Sequence, residues 1–279
     1  MPTATIHPEA LGETSSLIRP RGARTNQRWP GNTYGVEDRP YLLIPYRFRN
    51  GAHTSIADAQ RIIAESLDLI TADVGGCIRF VDDSEAQAHS HWIDFQDDEN
   101  DGCKSYIGYH GDDPSFPNGQ RINLASGCLR SDVVNHEVLH ALGFDHEHER
   151  PDRDDHSIMH YDAFSFQTIE AAVDELPTIT NLDGDPVQWP EVERLSSTDV
   201  FQLAKMYEGF CGQPGEEFIK VRSCNSGAEY LESRLCDGIK DCADGSDEEL
   251  AFCDEYCEPE TFYVSENGCY KNGLALIQK

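Results

Sequence analysis

Basic residues are scarce in this sequence: 22 lysines and arginines stand against 51 aspartates and glutamates, which leaves a formal net charge of −29. A surface of this charge repels nucleic acid and anionic membrane, so both are excluded as partners. The chain has no apolar run as long as a transmembrane helix requires, which excludes membrane insertion. Residues 1–16 contain no apolar h-region, so no signal peptide is visible, and internal repeats are absent.

Cysteine, by contrast, is abundant. Ten cysteines are spread through the chain, and an even number in this arrangement indicates disulfides and an oxidising compartment. These two observations point to different compartments. The cysteines are the stronger evidence, because five disulfides would be hard to keep in the cytosol. The sequence therefore predicts a secreted protein, and its 279 residues suit one large domain with one or two small ones.

Hydrophobic periodicity predicts both helices and strands. Residues 41–48 are an apolar run that contains Pro45, which favours an edge strand because proline cannot donate a ladder hydrogen bond. Residues 54–71 place apolar side chains on one helical face, and Thr54 or Ser55 can cap that helix. The same patterns predict strands at residues 78–81, 92–95 and 105–109, and helices at residues 131–142 and 198–207.

The most informative stretch lies on the helix predicted for residues 131–142. His136 and His140 are four residues apart, so both project from one helical face and can reach a single Zn²⁺. Glu137 lies next to His136, close enough to bind a metal-bound water without ligating the metal. This spacing predicts a metal site with an acid or base beside it.

The chain that follows the helix supplies a third nitrogen. Gly143 can adopt a positive φ at low cost, so the helix, capped by Ser131, can end sharply there. The reversed chain then delivers His146. Three protein ligands with one open position are typical of a catalytic zinc site rather than a structural one.

These residues together resemble the metzincin clan of zinc peptidases. Glu147, directly after the third histidine, and the following Arg150 and residues 152–154 are similar to the astacin family within that clan. Residues 157–161 resemble the astacin Met-turn. The resemblance covers most of residues 28–211 and implies an α+β domain with a twisted mixed sheet, two long helices and an active-site cleft between two subdomains.

The resemblance implies a secreted zinc-dependent endopeptidase that hydrolyses internal peptide bonds of proteins. Glu137 would be the general base toward zinc-activated water, and Tyr161 would approach the metal and steady the oxyanion. Met159 would form an apolar floor beneath the zinc ligands. Glu147 would have a structural role, anchoring the buried amine of the mature N-terminus.

Other parts of the sequence extend the resemblance. The contexts of four cysteines are similar to those of astacins, which implies the disulfides Cys77–Cys211 and Cys103–Cys128. The resemblance also implies an edge strand that binds an extended substrate by strand addition. The substrate-binding residues of this strand would be Lys104, Ser105 and Tyr106.

Residues 236–248 resemble the calcium loop of low-density-lipoprotein-receptor class A modules. The resemblance implies one Ca²⁺ bound by oxygen ligands. Its side-chain ligands would be Asp237, Asp241, Asp247 and Glu248. The implied disulfides are Cys224–Cys242 and Cys236–Cys253, and Cys257–Cys269 would then pair the last two cysteines. A unit this small needs calcium and disulfides to fold, because its apolar core is too small.

The predicted organisation has five parts. Residues 1–27 would be a propeptide remnant or disordered tail, 28–211 the peptidase domain, 212–223 a linker, 224–253 the class A-like module and 254–279 a C-terminal tail. The expected partners are a protein or peptide substrate and an extracellular protein ligand of the module.

Two other interpretations stay open at this point. A catalytically inactive astacin homologue acting as an extracellular calcium-dependent binding protein is favoured by the short connection between Asp154 and the Met-turn. The intact set of zinc ligands, Glu137 and Tyr161 favours the enzyme instead. A matrixin is the weaker alternative, since it would predict serine at Glu147 and proline at Asp162.

Overall fold

The structure, a computed structural model, describes residues 27–30, 41–49, 56–117, 119–147, 157–161, 163–165, 176–180, 184–186, 194–212, 220–237, 239–249, 253, 262–265 and 268–271. The predicted helix caps Thr54 and Ser55 lie outside these ranges, as do Cys257 of the predicted last disulfide and residues 152–154 of the astacin-like segment. Within the described ranges, no helix is both long and apolar enough to cross a membrane.

The described residues contain five strands and four helices, followed by two small hairpins. The strands are β1 Leu42–Phe48, β2 Ile78–Asp82, β3 Ile93–Gln96, β4 Cys103–Ser105, β5 Gln120–Leu124, β6 Val221–Ser223, β7 Glu229–Leu231, β8 Phe262–Ser265 and β9 Gly268–Lys271. The helices are α1 Ala57–Asp73, α2 Ser131–Leu142, α3 Ser197–Met206 and the short α4 Glu208–Cys211. Short 3₁₀ turns occur at Ser126–Cys128, Glu232–Arg234 and Ser246–Glu248.

The first five strands form one mixed sheet in the order β2–β1–β3–β5–β4. The pairs β2–β1, β1–β3 and β3–β5 are parallel, and β4 runs antiparallel to β5 at the edge. The parallel strands are joined by helical or long connections, as parallel pairing requires. The structure thus has the α+β composition, with a mixed sheet and helices, that the sequence predicts.

Strand β1 is central in the sheet, and the prediction of an edge strand was wrong. It pairs with β2 from Leu42 to Tyr46 and with β3 only from Tyr46 to Phe48. Pro45 therefore lies where β1 has one neighbour, just before its pairing with the second begins. A missing N–H is tolerated at such a position, and this explains why proline did not confine the strand to the edge.

Helices α1 and α2 pack against each other and against the sheet. Helix α1 buries Ile63, Leu67 and Ile70, which repeat at the helical spacing of one apolar face. In helix α2, 10 of the 12 residues are buried, so the helix runs through the interior rather than over the surface. The zinc-ligand motif is therefore carried by the most enclosed helix of the described domain.

The helix boundaries differ in detail from the predictions. Helix α1 begins at Ala57, and its N-cap residue Ile56 makes no side-chain capping bond. Ser131 is the first residue of α2 rather than its cap, because Arg130 occupies the N-cap position without a side-chain bond. The predicted stop at Gly143 is present, and the glycine has φ 110°, in the left-handed region that glycine adopts at low cost.

Disulfides fix both ends of the peptidase part. Cys77–Cys211 joins the start of β2 to α4 across 134 residues of sequence, and Cys103–Cys128 joins β4 to the turn before α2. The C-terminal unit contains Cys224–Cys242 and Cys236–Cys253 around the β6–β7 hairpin. These are the pairings that the resemblance implied, and the side chain of Cys269 lies outside the described residues.

Candidate active site

Three histidines meet at the end of helix α2. One ring nitrogen from each of His136, His140 and His146 lies within 4.8 Å of the others. The Nε2 atoms of His140 and His146 are 3.0 Å apart. The helical spacing of four residues aligns the first two side chains, and the reversal at Gly143 returns the third to the same point.

The other nitrogen of each helical histidine is held by the backbone. Nδ1 of His136 donates to the carbonyl of Ile158 at 2.7 Å, and Nδ1 of His140 donates to the carbonyl of Phe144 at 2.8 Å. A carbonyl can only accept a hydrogen bond, so Nδ1 carries the proton in both rings. Nε2 is then the unprotonated nitrogen, with its lone pair available to a metal.

The surroundings keep these rings neutral. Burial, together with the neighbouring His140, lowers the pKa of His136 to about 3. Burial also lowers the pKa of His140. Metal ligands must be deprotonated, so the site is prepared to bind a cation at neutral pH without first losing protons.

Glu137 is buried beside the histidine cluster, with 5% of its surface exposed. One carboxylate oxygen, Oε2, is enclosed and has no hydrogen-bond partner among the described residues. Burial raises the pKa of Glu137 to about 8. An enclosed carboxylate without a protein partner at this place is suited to a water or a substrate proton.

The last turn of α2 has its backbone carbonyls fully occupied. His140 O accepts from Gly108 N at 2.8 Å, Ala141 O from Trp29 Nε1 at 2.9 Å, and Leu142 O from the Tyr207 hydroxyl at 2.9 Å. The end of a helix leaves four carbonyls without helical partners; here distant groups satisfy three of them, and Phe144 N donates to the fourth, Leu139 O. These contacts fix the direction in which the helix ends, and with it the place of His140.

The predicted Met-turn is held in place by a residue for which the sequence analysis gave no role. The Asp199 carboxylate accepts from Ser157 Oγ at 2.6 Å and from Ile158 N at 3.0 Å. Asp199 and Ser196 also form a capping box at the start of α3. The Ser196-x-x-Asp199 spacing was the signal that could have found this N-terminus. Asp199 thus fixes the backbone of Ile158, whose carbonyl orients His136.

The remaining predicted residues of the Met-turn lie around the cluster. Met159 is fully buried in the main core. The Tyr161 ring lies against the His146 ring at 4.3 Å, and its hydroxyl is 3.5 Å from His146 Nδ1. Glu147 is buried, and its backbone N–H donates to Met159 O at 3.0 Å. The N-terminal amine that Glu147 was predicted to anchor lies outside the described residues.

The predicted substrate-binding residues lie at the edge of the sheet. Lys104 and Ser105 are in β4, which pairs with β5 on one side. Tyr106 follows directly and is 43% exposed. Together with Arg121 these three residues line a shallow pocket. The next loop contacts helix α2 through the hydrogen bond from Gly108 N to His140 O, so this edge is joined to the helix that bears His136 and His140.

The structure brings the predicted calcium ligands together, but the oxygens of the three aspartates among them have other partners. Asp237 and Asp241 both accept hydrogen bonds from Arg194. Both oxygens of Asp247 accept from backbone N–H groups of the same loop, and Glu248 lies in the adjoining 3₁₀ turn. Among the described residues, the three histidines are the group that meets the geometric requirements of a metal site.

Comparison with known proteins adds evidence of ancestry. The family model of the astacin peptidases matches residues 37–157. The low choriolytic enzyme of Oryzias latipes is 28% identical over 229 residues, which cover 71% of this chain and 75% of that enzyme. The zinc metalloproteinase dpy-31 of Caenorhabditis elegans is 29% identical over 292 residues, which cover 91% of this chain and 42% of that protein.

The chain spans most of the choriolytic enzyme but well under half of the nematode relatives that it matches. Among solved structures, high choriolytic enzyme 1 of Oryzias latipes, a hatching enzyme zinc-protease, matches with a TM-score of 0.46 at 20% identity, over 66% of this chain and 96% of that one.

The sequence match includes the helix that bears His136, Glu137 and His140, and the structure brings His146 to the same point. The two relatives named here are a choriolytic enzyme and a zinc metalloproteinase. The family match over residues 37–157, these relatives and the three-histidine cluster support a metalloendopeptidase that is similar to the astacin family.

Proposed function

We propose that this chain is a secreted, zinc-dependent endopeptidase that cleaves internal peptide bonds of proteins, with Glu137 as its general base. The observation that carries the proposal is the arrangement of the two helical histidines. Their Nδ1 atoms are occupied by backbone carbonyls, so their Nε2 atoms face one point beside a buried carboxylate.

The donor set fits zinc. Three neutral imidazoles within 4.8 Å of one another are the ligands of many catalytic zinc sites, which leave a further position for water or substrate. His136, His140 and His146 would hold the ion. When bound, zinc supplies a Lewis acid that polarises the scissile carbonyl and lowers the pKa of water.

Glu137 would hold and move the proton of the attacking water. Its Oε2 is enclosed and has no partner among the described residues, so it can accept a hydrogen bond from a water molecule placed beside the histidines. The same carboxyl would then pass the proton to the leaving amine. A positioned general base of this kind contributes roughly 10²–10⁴-fold to the rate.

Tyr161 would stabilise the negative charge that develops on the carbonyl oxygen. Its hydroxyl already lies at the edge of the cluster, 3.5 Å from His146 Nδ1, and its ring rests on that of His146. A hydroxyl donor aimed at a developing oxyanion strengthens its bond in the transition state. Met159 would support the site from below as part of the buried core.

The substrate would bind in an extended conformation along β4. This strand has one neighbour in the sheet, so its other edge can pair with a peptide backbone. Lys104, Ser105 and Tyr106 would then contact the side chains of the peptide. Pairing through the peptide backbone would allow segments of varied sequence to bind, and it would suit cleavage within a chain.

Secretion is supported by the cysteines. The structure forms two disulfides in the peptidase part and two in the C-terminal unit. Disulfides of this number persist in oxidising compartments. The predicted calcium site is not part of this proposal, because the carboxylates of Asp237 and Asp241 are occupied by Arg194 and do not fit a cation as they stand.

The test is digestion of a mixed peptide library by the full chain, with the products identified by mass spectrometry. Zinc-loaded protein is expected to cut internal bonds, to lose this activity when zinc is removed by dialysis against a chelator, and to regain it when zinc is restored. Release of terminal residues alone would contradict the endopeptidase assignment. No cleavage by folded protein that contains one zinc per chain would favour the binding protein instead.

A further inference from the structure

Five buried charged residues meet where the C-terminal cysteine unit lies against the peptidase domain. None of them is more than 7% exposed. Three belong to the cysteine unit and two to the peptidase domain. They are Asp73 at the end of α1, Arg194 just before α3, and Arg234, Asp237 and Asp241 in the cysteine unit. We call them the arginine–aspartate cluster.

Arg194 occupies the centre of this cluster. One of its terminal nitrogens, Nη1, donates to Asp237 Oδ2 at 2.7 Å and to Asp241 Oδ2 at 2.9 Å. The other, Nη2, donates to Asp73 Oδ1 at 2.6 Å. A single guanidinium thus joins two carboxylates of the cysteine unit to one of the peptidase domain, and its planar fork suits this arrangement.

Arg234 makes the reciprocal contact from the cysteine unit. Its Nη2 donates to Asp73 Oδ2 at 2.9 Å and to the carbonyl of Leu195 at 2.6 Å, and its Nε donates to Asp73 Oδ1 at 3.1 Å. Its Nη1 lies 3.3 Å from Asp241 Oδ1. Each side of the junction therefore contributes an arginine that binds at least one acidic group of the other.

The side-chain oxygens of the three aspartates that were expected to bind calcium are all engaged. Asp237 gives one oxygen to Arg194 and the other to Ile239 N. Asp241 gives one to Arg194 and one to Arg234. Asp247 accepts from Asp241 N and Cys242 N. Calcium needs six to eight oxygen ligands, and these three aspartates have no oxygen without a hydrogen-bond donor.

We propose that the guanidinium of Arg194 takes the place of calcium in this cysteine unit and clamps the unit to the peptidase domain, so that the junction is independent of calcium. Within the cluster, two guanidinium groups face three carboxylates and offset most of their negative charge. Burial alone would lower the pKa of Arg194, but the carboxylates of Asp73, Asp241 and Asp237 raise it, so the arginine stays charged.

Apolar packing continues across the same junction. Leu231 of strand β7 belongs to the main core of the peptidase domain and is 2% exposed. Val221 of β6 packs against that core as well. The hairpin therefore shares the hydrophobic interior of the peptidase domain instead of standing apart from it. Apolar burial across the junction favours a fixed contact between the unit and the domain.

The first test is the effect of calcium on thermal unfolding of the full, zinc-loaded chain with its disulfides intact. The protein is prepared in calcium-free buffer, and CaCl₂ or MgCl₂ is added at constant ionic strength. Magnesium is the matched control for loose binding of divalent ions to an acidic chain. A calcium-specific site held at 100 times its Kd would raise the Tm by roughly 5 °C.

We expect calcium and magnesium to change the Tm equally, by less than about 1 °C relative to each other. A rise of several degrees with calcium alone, or calorimetric binding of one Ca²⁺ per chain that magnesium does not reproduce, would overturn the proposal. This test needs no variant, so it stands even if substitutions in the cluster impair folding.

The second test removes the clamp. Arg194→Gln is expected to lower the Tm by at least about 5 °C, because it leaves buried carboxylates without their cation. Arg61→Gln is the matched control, since Arg61 forms an exposed pair with Glu65 on α1. An Arg194→Gln protein with the Tm of the Arg61→Gln control would refute the clamp. Failure of Arg194→Gln to fold, beside a folded control, would support it.

Discussion

Asp199 connects the start of α3 to the turn that orients His136, a proposed zinc ligand, and its removal should affect both stability and zinc affinity. Its carboxylate accepts from Ser157 Oγ at 2.6 Å, Ile158 N at 3.0 Å and Ser196 N at 3.0 Å, and the residue is 2% exposed. The substitution Asp199→Ala leaves three donors without an acceptor, and two of them are buried. The hydrogen bonds of its carboxylate identify Asp199 as a positioning residue.

The magnitude follows from the bonds that are lost. A hydrogen bond to a charged group contributes about 1.5–3 kcal/mol, and an orphaned buried donor costs about 1–3 kcal/mol. Because the three bonds share one carboxylate, their effects do not add fully, and we expect a loss of about 3–5 kcal/mol in the free energy of unfolding. Loss of a group that orients a metal ligand weakens metal binding by about 10–100-fold.

The assay combines thermal unfolding with zinc titration against a fluorescent competitor. Ser196→Ala is the control, because it removes the capping bond to Asp199 N while leaving the bonds from Asp199 to Ser157 and Ile158. It should cost about 1 kcal/mol and leave zinc affinity unchanged. An Asp199→Ala protein with wild-type zinc affinity would refute the link between this carboxylate and His136.

Three further substitutions test single contacts. Tyr207→Phe removes the bond to Leu142 O and should lower the free energy of unfolding by about 1–3 kcal/mol, as measured by thermal unfolding; no change would show that water replaces the hydroxyl. Tyr161→Phe should lower kcat by about 10²-fold with little change in KM, and an equal kcat would remove Tyr161 from the proposed mechanism. Burial opposes ionisation of Asp83, but backbone hydrogen bonds and Arg47 bring its pKa well below the ordinary value. The ionised Asp83 therefore stabilises the folded state above about pH 4, and this stabilisation is lost as the pH falls through the folded pKa. The stability difference between wild type and Asp83→Asn should therefore shrink on acidification, and a difference that grew instead would contradict the direction of this shift.

The zinc cluster could be predicted from the sequence because its geometry is local. Helical periodicity places His136 and His140 on one face, and a glycine after the last turn reverses the chain toward His146. All three histidines lie within 11 consecutive residues, so no knowledge of the tertiary fold was needed to bring them together. Resemblance to a known family then supplied the expected roles of Glu137 and Tyr161.

The contacts that support the cluster could not be predicted in the same way. Trp29 and Ala141 are 112 residues apart in the sequence, and Arg234 and Asp73 are 161 residues apart. A local pattern contains no information about partners at such distances. The prediction of calcium ligands had the same limit. The motif that contains Asp237 and Asp241 was visible, but Arg194, which binds both carboxylates, lies 43 residues from Asp237 and 47 residues from Asp241.

Strand β1 shows how a sound local rule can give a wrong position. Proline is confined to edges because a central strand needs its N–H groups on both sides. At Pro45 the sheet has one neighbour, since pairing with β3 begins at Tyr46. The offset between neighbouring strands is set by the whole sheet. Proline therefore still lies at a position with one neighbour, although β1 as a whole is a central strand.

The most direct test of the proposed function is the rate of peptide cleavage by the Glu137→Gln variant. Glutamine keeps the size of the side chain and removes its capacity to accept a proton, while the three histidines remain able to bind zinc. We predict that kcat/KM for a quenched internal peptide falls by about 10²–10⁴-fold in this variant. Its zinc content should match that of wild type.

Glu65→Gln, on the exposed face of α1, is the control and should retain wild-type kcat/KM. A Glu137→Gln protein that binds one zinc and cleaves the peptide at the wild-type rate would contradict the assignment of Glu137 as general base. Selective loss of cleavage in Glu137→Gln, with zinc retained and the Glu65→Gln control active, is the result that the proposed mechanism predicts.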